Sequence, residues 1–368
     1  MKRIFAFLLA ICMVALCGCS SETPPETTLE TQASTQPSTS PTKPTQVQKP
    51  VGNADCNPLT GEKIDGDGLL RPVAVVMNNT EADLPQYGVA DVDMLYETLI
   101  EGETRMLGIF YDPVGSGAET LGTIRSARYY FIQIAQCYDA IYVHNGGSRD
   151  PEIGGYDYFE KTGWPHMDCI TSPGGKNYYY NPAGGSDLTG RVVIRPQGVL
   201  DFAQKLGIKT TREEPLYTGM KFDDSAVTIG KSGVKAKVWF NMSGTPSEKW
   251  HKSTSFTYNE KDKLYYAAQY GSDYVDGNGD KAVAFRNVLV LRTAISQKSG
   301  SQLMYVNTTG SGTGYFLCNG QMLEINWSRE KVTDPFQYTL ASNGEPITFG
   351  VGKTYVALVP NKAQVEIS

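Results

Sequence analysis

Arg125, Ser126 and Arg128 stand together where the sequence predicts the first turn of a helix. Two guanidinium groups at a helix N-terminus suit an anion, because free backbone N–H groups and the helix dipole add to their charge. The planar fork of arginine grips a carboxylate or phosphate with two parallel hydrogen bonds. A carboxylate, a phosphate or a muramic-type acid fits that chemistry. Arg105 supplies a third cation, four residues after Glu101, which itself follows Glu97 by four. The inward alternative is that the arginines pair with Glu97 and Glu101 in an internal ion network. Both readings stay open.

His144 closes a short apolar run just before Asn145-Gly146-Gly147. It is a candidate general acid or base near Glu101, or else a strand-end histidine bonded to its loop. Asn78, at the end of an earlier run, and Asn145 with Gly146 complete the predicted ligand-binding set with Glu97, Arg105, Arg125, Ser126 and Arg128. Such residues converge where loops leave the carboxyl ends of strands in an open α/β sheet. Glu97 and Glu101 also pose the question of a glycosidase carboxylate pair. In a strand, residues four apart lie about 13 Å from each other along the backbone, which is too far unless the side chains converge.

Metal and nucleophile signals are thin. His166 and His251, the other histidines, lack metal-ligand spacing, as do Cys56, Cys137, Cys169 and Cys318. Asp276-Gly277-Asn278-Gly279-Asp280 opens like a calcium loop. It then has Lys281 where glycine is needed and Asn287 where the acidic twelfth ligand belongs, so a turn is expected. No GxSxG, HExxH or Walker loop occurs. No metal and no cofactor are expected.

The elements that must position these residues follow from periodicity. Residues 71–79 read as a buried strand ending in a polar corner. Residues 91–102 and 104–112 are apolar runs expected to form a hairpin turning at Gly102. Tyr130, Phe131, Ile134 and Tyr138 recur at helical spacing, with Ser126 as the expected N-cap. Residues 140–144 form a strand, 154–190 long aromatic and glycine-rich loops, and 196–206 a helix with proline in its first turn. The loop aromatics, Tyr156 to Tyr180, can stack on sugar rings or simply cover the sheet. From residue 215 onward the pattern is short strands between Gly, Asn and Asp turns. Asn319-Gly320 is the strongest hairpin signal among them. The expected fold class is α+β, with a mixed α/β module at 55–214 followed by an all-β sandwich or partly open barrel at 215–368.

The first residues set the expected location. Lys2 and Arg3 precede an apolar run at 4–16 that is too short to span a bilayer comfortably. Leu16-Cys17-Gly18-Cys19 has the pattern of a bacterial lipoprotein cleavage site. Residues 1–18 are thus the expected signal peptide, and Cys19 the lipidated, palmitate-type membrane anchor. Residues 19–54, rich in Thr, Ser and Pro, cannot bury enough apolar surface to offset chain entropy and are expected to form a disordered tether. The formal charge is −6, and removing Lys2 and Arg3 makes the chain more acidic still. That argues against nucleic acid as a partner.

Three stretches in order, RPVAVVMNN, ADVDMLYETLIEGETRMLGIFYD and GTIRSARYYFIQIAQCYDAIYVHNGG, resemble the YerB-like bacterial lipoproteins. NVLVLRT, GTGYFLCNGQMLEINWSR and GKTYVALVP are similar to the second module of that family. One departure is Gly102-Glu103 where Gly-Gly is the family pattern. The resemblance implies two modules and a lipid tether, and no reaction. The sequence therefore points to an envelope protein on the extracytoplasmic face of the cell membrane. It would bind an anionic ligand, a peptidoglycan fragment or a protein partner, through its arginines. One alternative is a cell-wall hydrolase or transferase using Glu101 or His144. Another is a scaffold docking a surface protein through its β module.

Overall fold

The computed structural model describes residues 50–188, 190–225, 230–242 and 251–368. The expected signal peptide, Cys19 and nearly all of the tether lie outside the described residues. Val73–Asn78 forms β1, and Met94–Leu99 and Thr104–Phe110 form β2 and β3, the expected hairpin. Gly102 turns it at φ +86, a conformation that suits glycine. Helix α1 is Tyr129–Cys137, and β4 is Ile141–His144. Next come α2 (Gly155–Thr162), β5 (His166–Asp168) and α3 (Pro196–Lys205). The later strands include β6 (Lys235–Trp239), β7 (Ser253–Asn259), β8 (Leu264–Gln269) and β9 (Asn287–Thr293). They continue with β10 (Gly310–Cys318), β11 (Gln321–Arg329), β12 (Gln337–Leu340), β13 (Thr354–Pro360) and β14 (Val365–Ile367).

The large sheet runs β12-β11-β10-β9-β13-β2-β3-β1-β4-β5, with Lys231–Ser232 added beside β11. Its strands come from both halves of the sequence. β13, near the C-terminus, lies parallel to β2 with Met94 opposite Thr354, and parallel to β9 on its other side. Every residue of β13 is buried, as an interior parallel strand covered on both faces requires. The predicted change of module at residue 215 falls in irregular chain, yet hydrogen bonding carries one sheet across both modules. Residues 49–368 form one compact unit. The second sheet, β8-β7-β6-β14 flanked by Ser272–Asp273 and Ala284–Phe285, is antiparallel. The fold class is α+β, as the sequence predicts.

Strand register sorts the central side chains onto two faces. Asn78, Arg105 and Thr98 align across β1, β3 and β2, as do Val76, Leu107 and Tyr96. This face meets the helices. Tyr138, at the end of α1, shares a hydrogen bond with the Tyr96 hydroxyl at 2.6 Å, and the Tyr130 hydroxyl donates to the Leu99 carbonyl. The opposite face carries Met77, Met106, Glu97 and Tyr355. It packs on the second sheet, where Phe256 and Phe285 lie 4.7 and 5.5 Å from the Tyr355 ring.

Two local expectations need correction. α1 begins at Tyr129, and Ser126 is not its cap. The Ala127 N–H donates to the Gly146 carbonyl and its backbone bridges Gly147, so 126–128 stays extended across the sheet edge. The Ser126 hydroxyl donates instead to the Asn145 carbonyl. Second, α2 lies within the stretch read as loops. Its opening Gly154-Gly155 hides the helical signal, but a Cβ at Gly155 would sit 2.6 Å from the Ala127 carbonyl oxygen. Glycine is what lets this helix lie against the 126–128 strap.

Candidate functional site

The strap from Leu121 to Arg128 crosses the carboxyl ends of β1 and β4. Arg125 N donates to the Val76 carbonyl and Asn145 N to the Arg125 carbonyl. This brings most of the predicted site residues together on the helix-covered face. Arg128 holds Glu101 with two hydrogen bonds, Nε at 2.8 Å and an Nη at 2.7 Å. Arg125 pairs with Asp83 at 2.8 Å. Asn78 donates to Thr80 and also to Asp83. Arg105, opposite Asn78 in the register, donates to the Ser126 carbonyl at 3.0 Å.

The electrostatics of this cluster are unbalanced. Burial alone would raise the Glu101 carboxyl, but the Arg128 hydrogen bonds and charge outweigh it and hold Glu101 below the usual carboxylate range. Asp83 is likewise held low, with burial overcome by Thr80, Arg125 and Arg191. Burial and the neighbouring Arg128 push Arg105 down to about 10, so it still carries its charge at neutral pH. Arg191, bonded to the Pro85 carbonyl, joins from a distant stretch. Four guanidinium groups therefore face two carboxylates. Several buried polar atoms here have no hydrogen-bond partner among the described residues: Arg105 Nε, Arg191 Nε, Gln86 Oε1, Thr123 Oγ1 and Asn145 Oδ1. Buried polar atoms are nearly always paired, so these five are exceptions to the general pattern.

Glu97 does not join this cluster. It faces the second sheet, where its carboxylate accepts from Asn79 at 2.9 Å, Thr104 at 2.6 Å, Thr254 at 2.9 Å, Tyr355 at 2.5 Å and Lys252. The alternation of β2 puts Glu97 on the opposite face from Thr98 and Arg105, which is why the sequence-based grouping with Arg105 fails. Glu97 and Glu101 do not converge either. Glu97 is sealed between the sheets, and Glu101 reaches the start of α1.

His144 is fully buried, and it has a partner that no spacing in the chain announces. Its Nδ1 lies 2.7 Å from the Gly146 carbonyl, and its Nε2 lies 2.8 Å from His166 Nδ1. Asp168 sits 3.8 Å from His144 Nδ1. It accepts from the Gly146, Ile170 and Thr171 N–H groups and from the Tyr156 hydroxyl. Burial lowers the pKa of His144 against the opposing charge of Asp168. Both backbone groups of Gly146, and both ring nitrogens of His144, are thus taken by internal partners. Asn145 donates to the Leu188 carbonyl. Cys169 is pushed up to about 11 by burial and Asp168, so it remains a thiol rather than a nucleophile.

Cys56, Cys137, Cys169 and Cys318 are all free thiols. Asp276 folds its loop into the expected turn and also accepts the Gly88 and Ala90 N–H groups at 3.1 and 2.8 Å. Among the described residues, no three acidic, histidine or cysteine side chains gather to hold a metal ion. A cleft of about 720 Å³ lies elsewhere and is lined by Glu62, Asp65, Asp91, Asp93, Tyr111 and Arg286 among others. Asp93 beneath it is pushed up to about 7 by burial, against the Tyr111 N–H and Asn57. Asp83, Arg191, His166, Asp168 and Lys252 are the residues sequence reasoning missed. Each is brought in from another element, and no short-range spacing marks it.

The fold defines an α+β protein whose two halves share one large sheet. The chain belongs to the family described as "Protein of unknown function (DUF3048)". Residues 59–186 match the N-terminal domain of that family and residues 247–356 the C-terminal domain. Over 320 residues it is 26% identical to "Putative lipoprotein YerB" of Bacillus subtilis, spanning 84% of this chain and 88% of the relative. Its fold matches the crystal structure of the YerB protein from Bacillus subtilis with a TM-score of 0.69 at 23% identity. That match covers 84% of this chain and 99% of the other.

Proposed function

We propose that this protein is a lipid-anchored binding protein on the extracytoplasmic face of the cell membrane. Its anchor would be Cys19, and its site the edge where Arg105, Arg125, Arg128 and Arg191 meet. The ligand would carry a carboxylate or phosphate, as a peptidoglycan fragment or an acidic segment of a surface protein does. The observation that carries this reading is Arg105: a buried guanidinium whose Nε has no acceptor among the described residues, in a cluster with more arginine than carboxylate. A buried cation left without a full set of acceptors is costly, and an anionic ligand would supply the missing acceptors.

Binding is favoured over turnover by the state of the two candidate catalysts. Glu101 is locked by Arg128 and held ionised, which suits neither a general acid nor a mobile base. His144 has no free nitrogen.

The test is calorimetric titration of residues 50–368 with soluble peptidoglycan fragments, wild type beside Arg105→Gln, at low and high salt. Thermal melting would check that the variant is folded. Salt-sensitive binding that the variant loses supports the reading. Absence of binding by the wild type, or full retention by a folded variant, sinks it.

A further inference from the structure

The hydrogen bonds around His144 fix the protonation pattern of two rings. A carbonyl oxygen can only accept, so His144 Nδ1, 2.7 Å from the Gly146 carbonyl, carries the proton. His144 Nε2 of the neutral ring is then an acceptor, and His166 Nδ1, 2.8 Å away, must donate to it. The proton of His166 is thereby held on Nδ1, leaving the lone pair on Nε2. That nitrogen has no partner among the described residues. Phe159 stacks on the His166 ring, with centroids 3.8 Å apart and 14° between the planes, and holds its orientation.

His166 lines a cleft of about 560 Å³ with Arg71, Pro165, Ser172, Pro173, Leu206, Ile208 and Lys209. Ser172 Oγ accepts the Asp168 N–H at 2.9 Å, so its own proton is left to donate. The residues lining the cleft thus include one with a free acceptor, His166 Nε2, and one with a free donor, Ser172 O–H. A hydroxyl group both donates and accepts, and it matches that pair. Two prolines, Leu206 and Ile208 supply the rigid apolar surface on which the C–H face of a sugar ring rests. Arg71 and Lys209, which also line the cleft, disfavour an amine.

We infer that this cleft is a second binding site, separate from the arginine edge, which takes a neutral or acidic sugar through His166 Nε2 and Ser172. His144, in this arrangement, is a positioning residue that keeps the lone pair of His166 directed at the ligand. Burial and the adjacent His144 push His166 down to about 4, so the acceptor form prevails at neutral pH.

The protein has only three histidines, so nitrogen-15 NMR resolves each ring. The soluble body, residues 50–368, is titrated with diacetylchitobiose, and in parallel with maltose, at millimolar concentration. The expected result is that His144 and His166 both show the Nδ1–H tautomer and that a sugar shifts only the His166 Nε2 resonance. In His144→Phe, checked for folding by its amide spectrum, His166 should become a tautomer mixture and bind the sugar several-fold more weakly. His166 found as the Nε2–H form overturns the inference. So does a His166 signal that neither sugar moves, and so does a folded His144→Phe variant that binds as well as wild type.

Discussion

The ammonium of Lys252 and the carboxylate of Glu97 form an ion pair sealed from solvent between the two sheets. Glu97 lies on β2 in the N-terminal module, and Lys252 precedes β7 in the C-terminal one. Tyr355 on β13 and Thr254 on β7 bind the same carboxylate. Three strands remote in sequence, β2, β7 and β13, thus meet at one side chain, and that side chain helps fix how the sheets pack.

Removing one partner of such a pair leaves an uncompensated buried charge. Lys252→Met is therefore expected to cost about 3–5 kcal/mol in urea unfolding. Glu97→Gln/Lys252→Met, with no charge left, should recover part of that loss. A double variant no more stable than Lys252→Met would show that the ion pair is not the source of the effect.

Glu101 and Arg128 make a smaller case of the same kind. Glu101→Gln keeps the shape but loses charge and one acceptor for Arg128, so a loss on the order of 1–3 kcal/mol is expected. Under the proposed function it should also weaken fragment binding, because the freed Arg128 no longer holds its position at the start of α1. Unchanged melting with normal binding would remove Glu101 from both roles.

Stability should depend on pH with two opposing signs. His166 has a folded pKa of about 4, below its unfolded value, so its contribution is present above pH 6.5 and is lost as pH falls toward 4. Asp93 has a folded pKa of about 7, above its unfolded value. Its contribution is full below about pH 4 and is lost as pH rises through 7. His166→Phe should flatten the acid-side loss, and Asp93→Asn should flatten the decline toward pH 7. Denaturant midpoints measured from pH 4 to pH 8 separate them. Profiles unchanged by either substitution would count against these shifts.

Gly155 tests the contact between α2 and the strap. Alanine is the better helix former, by about 1 kcal/mol. Here its methyl would meet the Ala127 carbonyl at 2.6 Å. Gly155→Ala should therefore destabilise the protein and disturb the Arg125–Arg128 strap, seen as lowered Tm and amide shifts at 125–128. A stabilised variant would mean that the strap yields easily.

Much of the fold was legible because it depends on neighbours in the chain. The apolar runs of β1, β4 and β9 are strands because their side chains must be buried on both faces. Asn319-Gly320 forms its turn because both residues accept positive φ, here 54° and 71°. The arginines at the start of α1 were visible as a cluster for the same reason: four residues of chain hold them together. α2 was missed because Gly155 answers to the Ala127 backbone rather than to helix propensity.

What the sequence determined by itself is the order of the elements, the apolar strands and the grouping of Arg125, Ser126 and Arg128, all carried by residues close along the chain. Only the tertiary structure decided that β13 would lie beside β2, that Glu97 would meet Lys252 instead of an arginine, and that His144 would meet His166. Strand register sets which face each side chain takes, and that register comes from hydrogen bonds between segments up to hundreds of residues apart, whose pairing no local spacing encodes.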